Sequence, residues 1–543
     1  MSYDFHRNLG SMARGQWFSV NWTHFYERPS GDPEIPEVWC YAGHQSYEPG
    51  DEVTLHVSTS AQSYELTIVR DGAKPQLVLH EAALEGQLQR TPQHAYRDGC
   101  DWPVSFRWRI PEDARSGGYV VTVSIDDGQG GRIEQHGFFI VRSAAEAAPM
   151  VLIAATSTWN AYNDWGGANS YEGIAGDNGN QFSPVLSTQR PWARGLIWLP
   201  QGAPRIPHAM SAAGDVPRYP NFEYAFAQGF SKYYAAAGWA SYERQFVVWA
   251  EQAGFKIDLI AQSDLEHDPA ILDRYAGAVI VGHDEYWSRP MRETVDSWVD
   301  KGGRLARFGG NYFWQVRLED DGRTQVCYKY EARDRDPLAE TDQAHLVTTL
   351  WEDATLNYPG AATMGLNGSA GVYVGLGGFM PRAQRGFTVY RPEHWSFSGS
   401  DLYFGDLLGH EAGIYGYEVD GCDFTFVEGR PEPSFEDGVP DTLQILAMGP
   451  AALVEEDHGH AGTSLYAGTA DGEFIGAFKH GNHDQRALEK VRYGAGMIAI
   501  FQRGKGEVFN AASCEWVVGL TKNDAATMCV TRNVLERYSQ PKP

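Results

Sequence analysis

Ala278–Trp287 reads AVIVGHDEYW. Its first four residues, Ala278-Val279-Ile280-Val281, form a short apolar, largely β-branched run. Gly282 breaks the run, and His283, Asp284, Glu285, Tyr286 and Trp287 follow in succession. An apolar run of this length bounded by glycine predicts a buried strand. In an open parallel sheet, ligands collect just beyond the carboxyl ends of the strands. The stretch therefore sets an acid/base and metal-ligand cluster where such a sheet keeps its chemistry. The alternative is that His283 and the carboxylates cap the helix expected from about Pro290.

Outward from this strand the pattern alternates. Met150–Ala155, Lys256–Ile260 and Gly302–Phe308 read as further strands. Phe222–Ala253, Pro269–Tyr275 and Arg289–Lys301 read as helices. Alternating strands and helices predict a mostly parallel, doubly wound α/β sheet. Between about 325 and 480 the helices fade. Gly371–Val374, Gly386–Tyr390, Gly413–Val419 and Thr463–Ala467 read as strands of a β-rich insertion covering the sheet's edge. Gly494–Ile500 and Gly506–Asn510 are expected as closing strands, and Asp524–Tyr538 as a final helix. Upstream, short strands separated by turn signals such as Glu48-Pro49-Gly50-Asp51 and Asp71-Gly72 predict an immunoglobulin-like β-sandwich. The expected units are an aromatic N-terminal arm (1–32), the sandwich (33–142), a small-residue linker (143–149) and an α/β catalytic domain (150–543).

With 543 residues the chain is long enough for several cores. Its 70 acidic against 44 basic residues leave a net charge of −26, with no basic block. That argues against nucleic acid and against an anionic membrane surface as partners. Cysteines at 40, 100, 327, 422, 514 and 529 form no C-x-x-C pair. They read as scattered buried thiols rather than a zinc or redox site. The first fifteen residues lack an apolar signal core, and no apolar run is long enough to span a bilayer, so a reducing, cytoplasmic location is expected.

Covalent machinery is missing from the sequence. No serine sits in a G-x-S-x-G elbow, and neither a phosphate-binding loop nor H-E-x-x-H occurs. The turn after the 302–308 strand is Gly309-Gly310-Asn311, shaped like an elbow but holding asparagine where a nucleophile would stand. What remains is three loops, each after an apolar strand. Thr156–Tyr171 (TSTWNAYNDWGGANSY) offers Tyr162, Asn163, Asp164 and Tyr171. The opening stretch offers His283, Asp284, Glu285 and Tyr286, and the third loop Asn311 and Tyr312. A set rich in carboxylate and phenol oxygen suits a hard cation, and phenolate suits ferric iron. The competing reading is that these tyrosines are packing.

The segments Thr158–Gly167 (TWNAYNDWGG), Gly282–Trp287 (GHDEYW), Gly309–Asn311 (GGN) and Val326–Tyr330 (VCYKY), in this order, resemble the large (beta) subunit of N,N-dimethylformamidase over about residues 150–543. The resemblance implies a catalytic domain like that of class I glutamine amidotransferases, without their cysteine nucleophile. It implies one ferric ion, Fe(3+), per chain, held by two tyrosines and a glutamate. By motif, Tyr162 and Glu285 are two of these ligands. Tyr219 is the expected second tyrosine, with Tyr224 and Tyr171 in reserve. His283, Asn311 and Lys329 are the implied catalytic groups. Trp159, Trp165, Tyr286 and Trp287 are the expected walls of a small apolar pocket.

The expected function is iron-dependent hydrolysis of a small N-substituted amide to a carboxylic acid and an amine. His283 would move protons, Asn311 would hold the oxyanion, and Lys329 would orient the substrate or protonate the leaving amine. A homo-oligomer is expected, and the family's small companion subunit is a candidate partner. Two other functions stay open. One is a carbohydrate-active enzyme using Asp284, Glu285 and Glu393. The other is a non-catalytic binding subunit.

Overall fold

Alternating buried and exposed side chains build the N-terminal unit from strands. They are β1 (Val38–Ala42), β2 (Ser46–Tyr47), β3 (Glu52–Thr59), β4 (Ser63–Arg70), β5 (Gln76–Glu85), β6 (Phe106–Arg109), β7 (Gly117–Asp126) and β8 (Arg132–Val141). They form two sheets, β1-β3-β6 and β2-β8-β7-β4-β5. Val53, Leu55 and Val57 of the first meet Leu66, Ile68, Val121 and Phe139 of the second in one core. β5 was not expected: most of its residues are exposed or half-buried, so it carries no apolar periodicity to read. The computed structural model of the chain describes residues 26–143, 147–174, 181–205, 220–371, 373–374, 385–452, 469–480 and 485–542. Most of the expected aromatic arm, part of the linker and the Thr463–Ala467 strand lie outside the described residues.

The second unit is organised on a nine-stranded sheet. Along the chain its elements are β9 (Met150–Ala154), β10 (Val185–Ser187), β11 (Ile257–Ala261), β12 (Gly277–His283), β13 (Tyr286–Ser288), β14 (Arg304–Gly310), β15 (Trp314–Glu319) and β16 (Thr324–Val326). They continue with β17 (Tyr373–Val374), β18 (Phe387–Val389), β19 (Leu407–Leu408), β20 (Tyr417–Glu418), β21 (Phe424–Val427), β22 (Arg430–Pro433), β23 (Gln444–Ala452), β24 (Tyr493–Arg503) and β25 (Gly506–Ala511). The sheet order is β11-β9-β12-β14-β25-β24-β23-β18-β19. The first five strands are mutually parallel, and the rest pair antiparallel. Part of the segment read as an insertion over the edge therefore extends the sheet itself, through β18, β19 and β23.

The opening stretch is strand β12, every residue buried. Its parallel register against β14 sets Gly282 beside Gly309 and His283 beside Gly310. Two expectations change here. The predicted helix 222–253 is two helices, Pro220–Gln228 and Glu243–Gln252, because Gly229 and Gly238 adopt positive φ (70° and 106°) between them. The loop expected after β9 begins as a helix, Thr156–Tyr162, buried along its whole length. Residues of poor helix propensity are held there by burial, not by intrinsic preference.

Among the described residues no helix is long and apolar enough to cross a membrane. The cysteines are all free, and each is buried except the half-buried Cys529.

Candidate active site

Three chain segments meet beyond the ends of β9, β12 and β14. The helix Thr156–Tyr162 ends at Tyr162. The turn after it is tied down by Ser170 N–H donating to the Ala161 carbonyl at 2.9 Å, which returns Tyr171 to the same place. The Tyr171 hydroxyl lies 2.7 Å from that of Tyr162 and 2.5 Å from Glu285 Oε2. The Tyr162 hydroxyl lies 3.1 Å from the same carboxylate oxygen. Tyr286 donates to the Tyr171 hydroxyl at 2.9 Å, and Trp314 Nε1 donates to Glu285 Oε1 at 2.7 Å.

The implied second tyrosine thus has a geometric candidate in Tyr171, until now in reserve. Tyr219 lies outside the described residues. Tyr224 packs on Phe230 and Tyr234, with ring centroids 5.8 and 6.0 Å away.

His283 sits beside this triangle. A carbonyl can only accept, so the Ala236 oxygen, 2.8 Å from Nδ1, fixes a proton on that nitrogen. Nε2 faces Glu418 at 2.8 Å, Glu285 at 3.4 Å and Asn311 Nδ2 at 3.4 Å. Burial disfavours the imidazolium, but Glu418 and Glu285 outweigh it and hold the His283 pKa up at about 10. Burial also opposes the Glu285 carboxylate. His283, Lys329 and Tyr171 outweigh that and hold it below its ordinary range. Tyr162 and Tyr171 are pushed well above theirs, first by burial and then by the charge of Glu285. Buried phenols held so close to a carboxylate release protons only if positive charge comes close.

Lys329 is fully buried, with its ammonium 3.7 Å from the centre of the Tyr171 ring and donating to the Ser170 carbonyl at 3.3 Å. It and Asn311 adopt left-handed backbone (φ 52° and 63°). Asparagine tolerates that region; lysine rarely enters it, so the backbone there is held by its surroundings.

Two sets of donors could hold a metal. Tyr162, Tyr171 and Glu285 offer three oxygens within hydrogen-bond distance of one another, as donors around one hard cation are. His283, Glu418 and Cys514 bring ligand atoms within 4.8 Å of one another. In that second set His283 and Glu418 lie 2.8 Å apart, and burial, followed by the charge of Glu418, drives the Cys514 thiol well above its ordinary range. Burial and a neighbouring glutamate raise the phenols of the oxygen set in the same way, so this shift does not separate the two sets. The oxygen set offers three hard donors and no thiol, the donor chemistry that suits a ferric ion.

Several expectations are corrected. Asp284 turns away from the site to Arg307, and Glu393 is an exposed residue paired with Arg430 at 3.1 Å, so the proposed glycosidase carboxylates do not face each other. Nor do His283 and its neighbours cap the next helix, Arg289–Asp300; Ser288 does, accepting from Met291 N–H. Of the expected pocket walls, Tyr286 reaches the site. Trp159 packs on Phe138 of the sandwich and on Trp192, and Trp165 on Trp39 and Trp102. Trp287 packs on Tyr312. Among the described residues, Trp314, Tyr233 and Tyr330 also meet site residues. Glu418 escaped the sequence reading. Its only signal was a carboxylate inside the expected strand Gly413–Val419, where a buried charge needs a partner.

Fold and site together define an α/β protein with a buried tyrosine–carboxylate centre at the carboxyl edge of its parallel strands. Residues 65–528 match the family described as N,N-dimethylformamidase beta subunit-like, C-terminal, and the chain belongs to that family. The match begins inside β4, so it takes in much of the sandwich as well as the α/β unit. No curated protein matches the chain. Among solved structures, one of murine CRIg is 11% identical and covers 20% of this chain and 99% of its own, with a TM-score of 0.15.

Proposed function

We propose that the chain hydrolyses the C–N bond of a small N-substituted amide, such as N,N-dimethylformamide, at a single ferric ion held by Tyr162, Tyr171 and Glu285. The observation that carries this reading is the meeting of the Tyr171 and Tyr162 hydroxyls on Glu285 Oε2, at 2.5 and 3.1 Å. Bound there, ferric iron supplies Lewis-acid polarisation of the amide carbonyl.

The protein's own groups supply the rest. His283, with Nδ1 fixed by Ala236, exchanges its proton at Nε2. Glu418 at 2.8 Å keeps that proton within reach of the site. With its pKa held up at about 10, the imidazolium is placed to give its Nε2 proton to the departing amine, and the Glu418 carboxylate to take one from attacking water. Asn311 Nδ2, 3.4 Å from the same nitrogen, is placed to donate to the developing oxyanion. The Lys329 ammonium stabilises negative charge on Glu285 and Tyr171. The aromatic side chains at the site, Tyr286, Trp314 and Tyr233, would give N-alkyl groups an apolar surface.

The test joins composition to activity. The purified protein is expected to hold about one iron per chain, to show a visible phenolate-to-iron band, and to release amine from N,N-dimethylformamide. Glu285→Ala and Tyr171→Phe are each expected to lose iron, colour and activity together. A colourless, iron-free protein that still releases amine would refute the metal assignment. An iron-loaded protein inert toward a panel of N-alkyl amides would refute the substrate class.

A further inference from the structure

Arg307 stands in the middle of β14, between Ala306 and Phe308, and is wholly buried. A guanidinium placed there must be matched by carboxylates. Nε donates to both oxygens of Asp284, at 3.1 and 2.9 Å, and Nη2 donates to Asp284 Oδ1 at 2.5 Å. Nη1 donates to Asp420 Oδ2 at 2.5 Å and to Asn510 Oδ1 at 3.3 Å.

Neither carboxylate belongs to the reactive cluster, but each is bound in sequence to one that does. Asp284 lies between His283 and Glu285. Asp420 lies two residues after Glu418. Asp420 also accepts the backbone N–H of Tyr312, at 3.1 and 3.3 Å, and Tyr312 follows Asn311. A single planar fork therefore ties together the backbones that carry His283, Glu285, Glu418 and Asn311. The chain separation between Asp284 and Asp420 is large, so no local structure could fix the two loops against each other.

We propose that Arg307 is the positioning residue of this site: its simultaneous hold on Asp284 and Asp420 sets the His283–Glu418 contact from beneath. The catalytic part of this proposal rests on the amide-hydrolase reading; the geometric part does not. Lysine keeps the charge but is a point donor without the fork, so it cannot hold both carboxylates in the same way.

The experiment is Arg307→Lys, with Asp420→Asn beside it. Asp420→Asn leaves the Arg307–Asp284 pair intact and loosens the side that carries Glu418 and Asn311. In crystals of either variant, without iron, the His283–Glu418 contact of 2.8 Å is expected to open by about 1 Å. A displacement of that size is expected to lower kcat by about 10²-fold, with KM within a few-fold, iron retained and the visible band shifted. An unchanged contact together with unchanged kcat would overturn the proposal. So would equal losses in kcat and iron content, which are the mark of a general structural defect. Should Arg307→Lys fail to fold, Asp420→Asn decides by the same readouts. If the native protein cleaves no amide, the functional reading falls while the crystallographic arm still decides the clamp.

Discussion

Glu285 is the residue at which the site's interactions meet. Its Oε2 serves both tyrosines, while its Oε1 is held by the Trp314 indole at 2.7 Å. An outer partner of this kind fixes the orientation of a ligand, and its loss costs about 10–100-fold in metal affinity or activity. Trp314→Phe keeps most of the ring volume and removes only the donor. It is expected to weaken iron binding by about that factor, with little change in melting temperature, read by iron titration beside thermal denaturation. Unchanged affinity would make the indole a packing group. Glu285, Tyr162, His283 and Asn311 were legible in the sequence because each follows a recognisable strand end within a compact motif. Tyr171 was legible only as one of several tyrosines, since the turn that folds it back depends on the Ser170–Ala161 hydrogen bond. Glu418 was not legible as a site residue, because its partner His283 lies far earlier in the chain and nothing within the expected strand Gly413–Val419 says which group pairs with the carboxylate.

The elements bring these residues together through close backbone approaches. A Cβ built on Gly310, at the end of β14, would stand 2.4 Å from the Glu418 carbonyl oxygen and 2.8 Å from the Cys514 nitrogen. Both obstacles are backbone, so neither can rotate aside. Gly310→Ala is therefore expected to destabilise the protein by about 1–3 kcal/mol, as overpacking does, and to lower turnover as Glu418 shifts from His283. Chemical denaturation and kcat measured together check this, and a variant with native stability and turnover would show that the two strands yield freely. At this scale the sequence was partly readable. The apolar runs of β9, β12 and β14 are locally distinctive. In the antiparallel half, β18 and β24 were expected, as Gly386–Tyr390 and Gly494–Ile500, whereas β19 and β23 were not, and which strands pair is set by tertiary contacts that local pattern does not encode. The break in the predicted long helix likewise needed Gly238, whose Cβ would stand 2.4 Å from the Leu196 carbonyl oxygen.

On the scale of the whole molecule, the sandwich and the α/β unit are joined through polar and aromatic contacts. Arg70 pairs with Glu251 at 2.9 Å, and Asp71 accepts from Trp239 and Arg244 at 2.9 and 2.7 Å. Trp159 lies between Phe138 of the sandwich and Glu243, whose Oε1 accepts its indole N–H at 3.0 Å and the Ala155 N–H at 3.1 Å. This carboxyl is fully enclosed. Burial raises its pKa from 4.5 to about 8, against the lowering effect of those two donors. The folded chain therefore keeps a proton that the unfolded chain gives up above its own pKa. The stability this group contributes is full below about pH 4.5 and is lost as pH rises through about 8. Glu243→Gln retains the acceptor and cannot ionise. Its melting temperature is expected to match the native protein's near pH 5 and to exceed it near pH 9, when the two are compared across that range. Parallel curves would mean that Glu243 is already ionised in the folded state, and that the contact between the two units tolerates a buried charge at its centre.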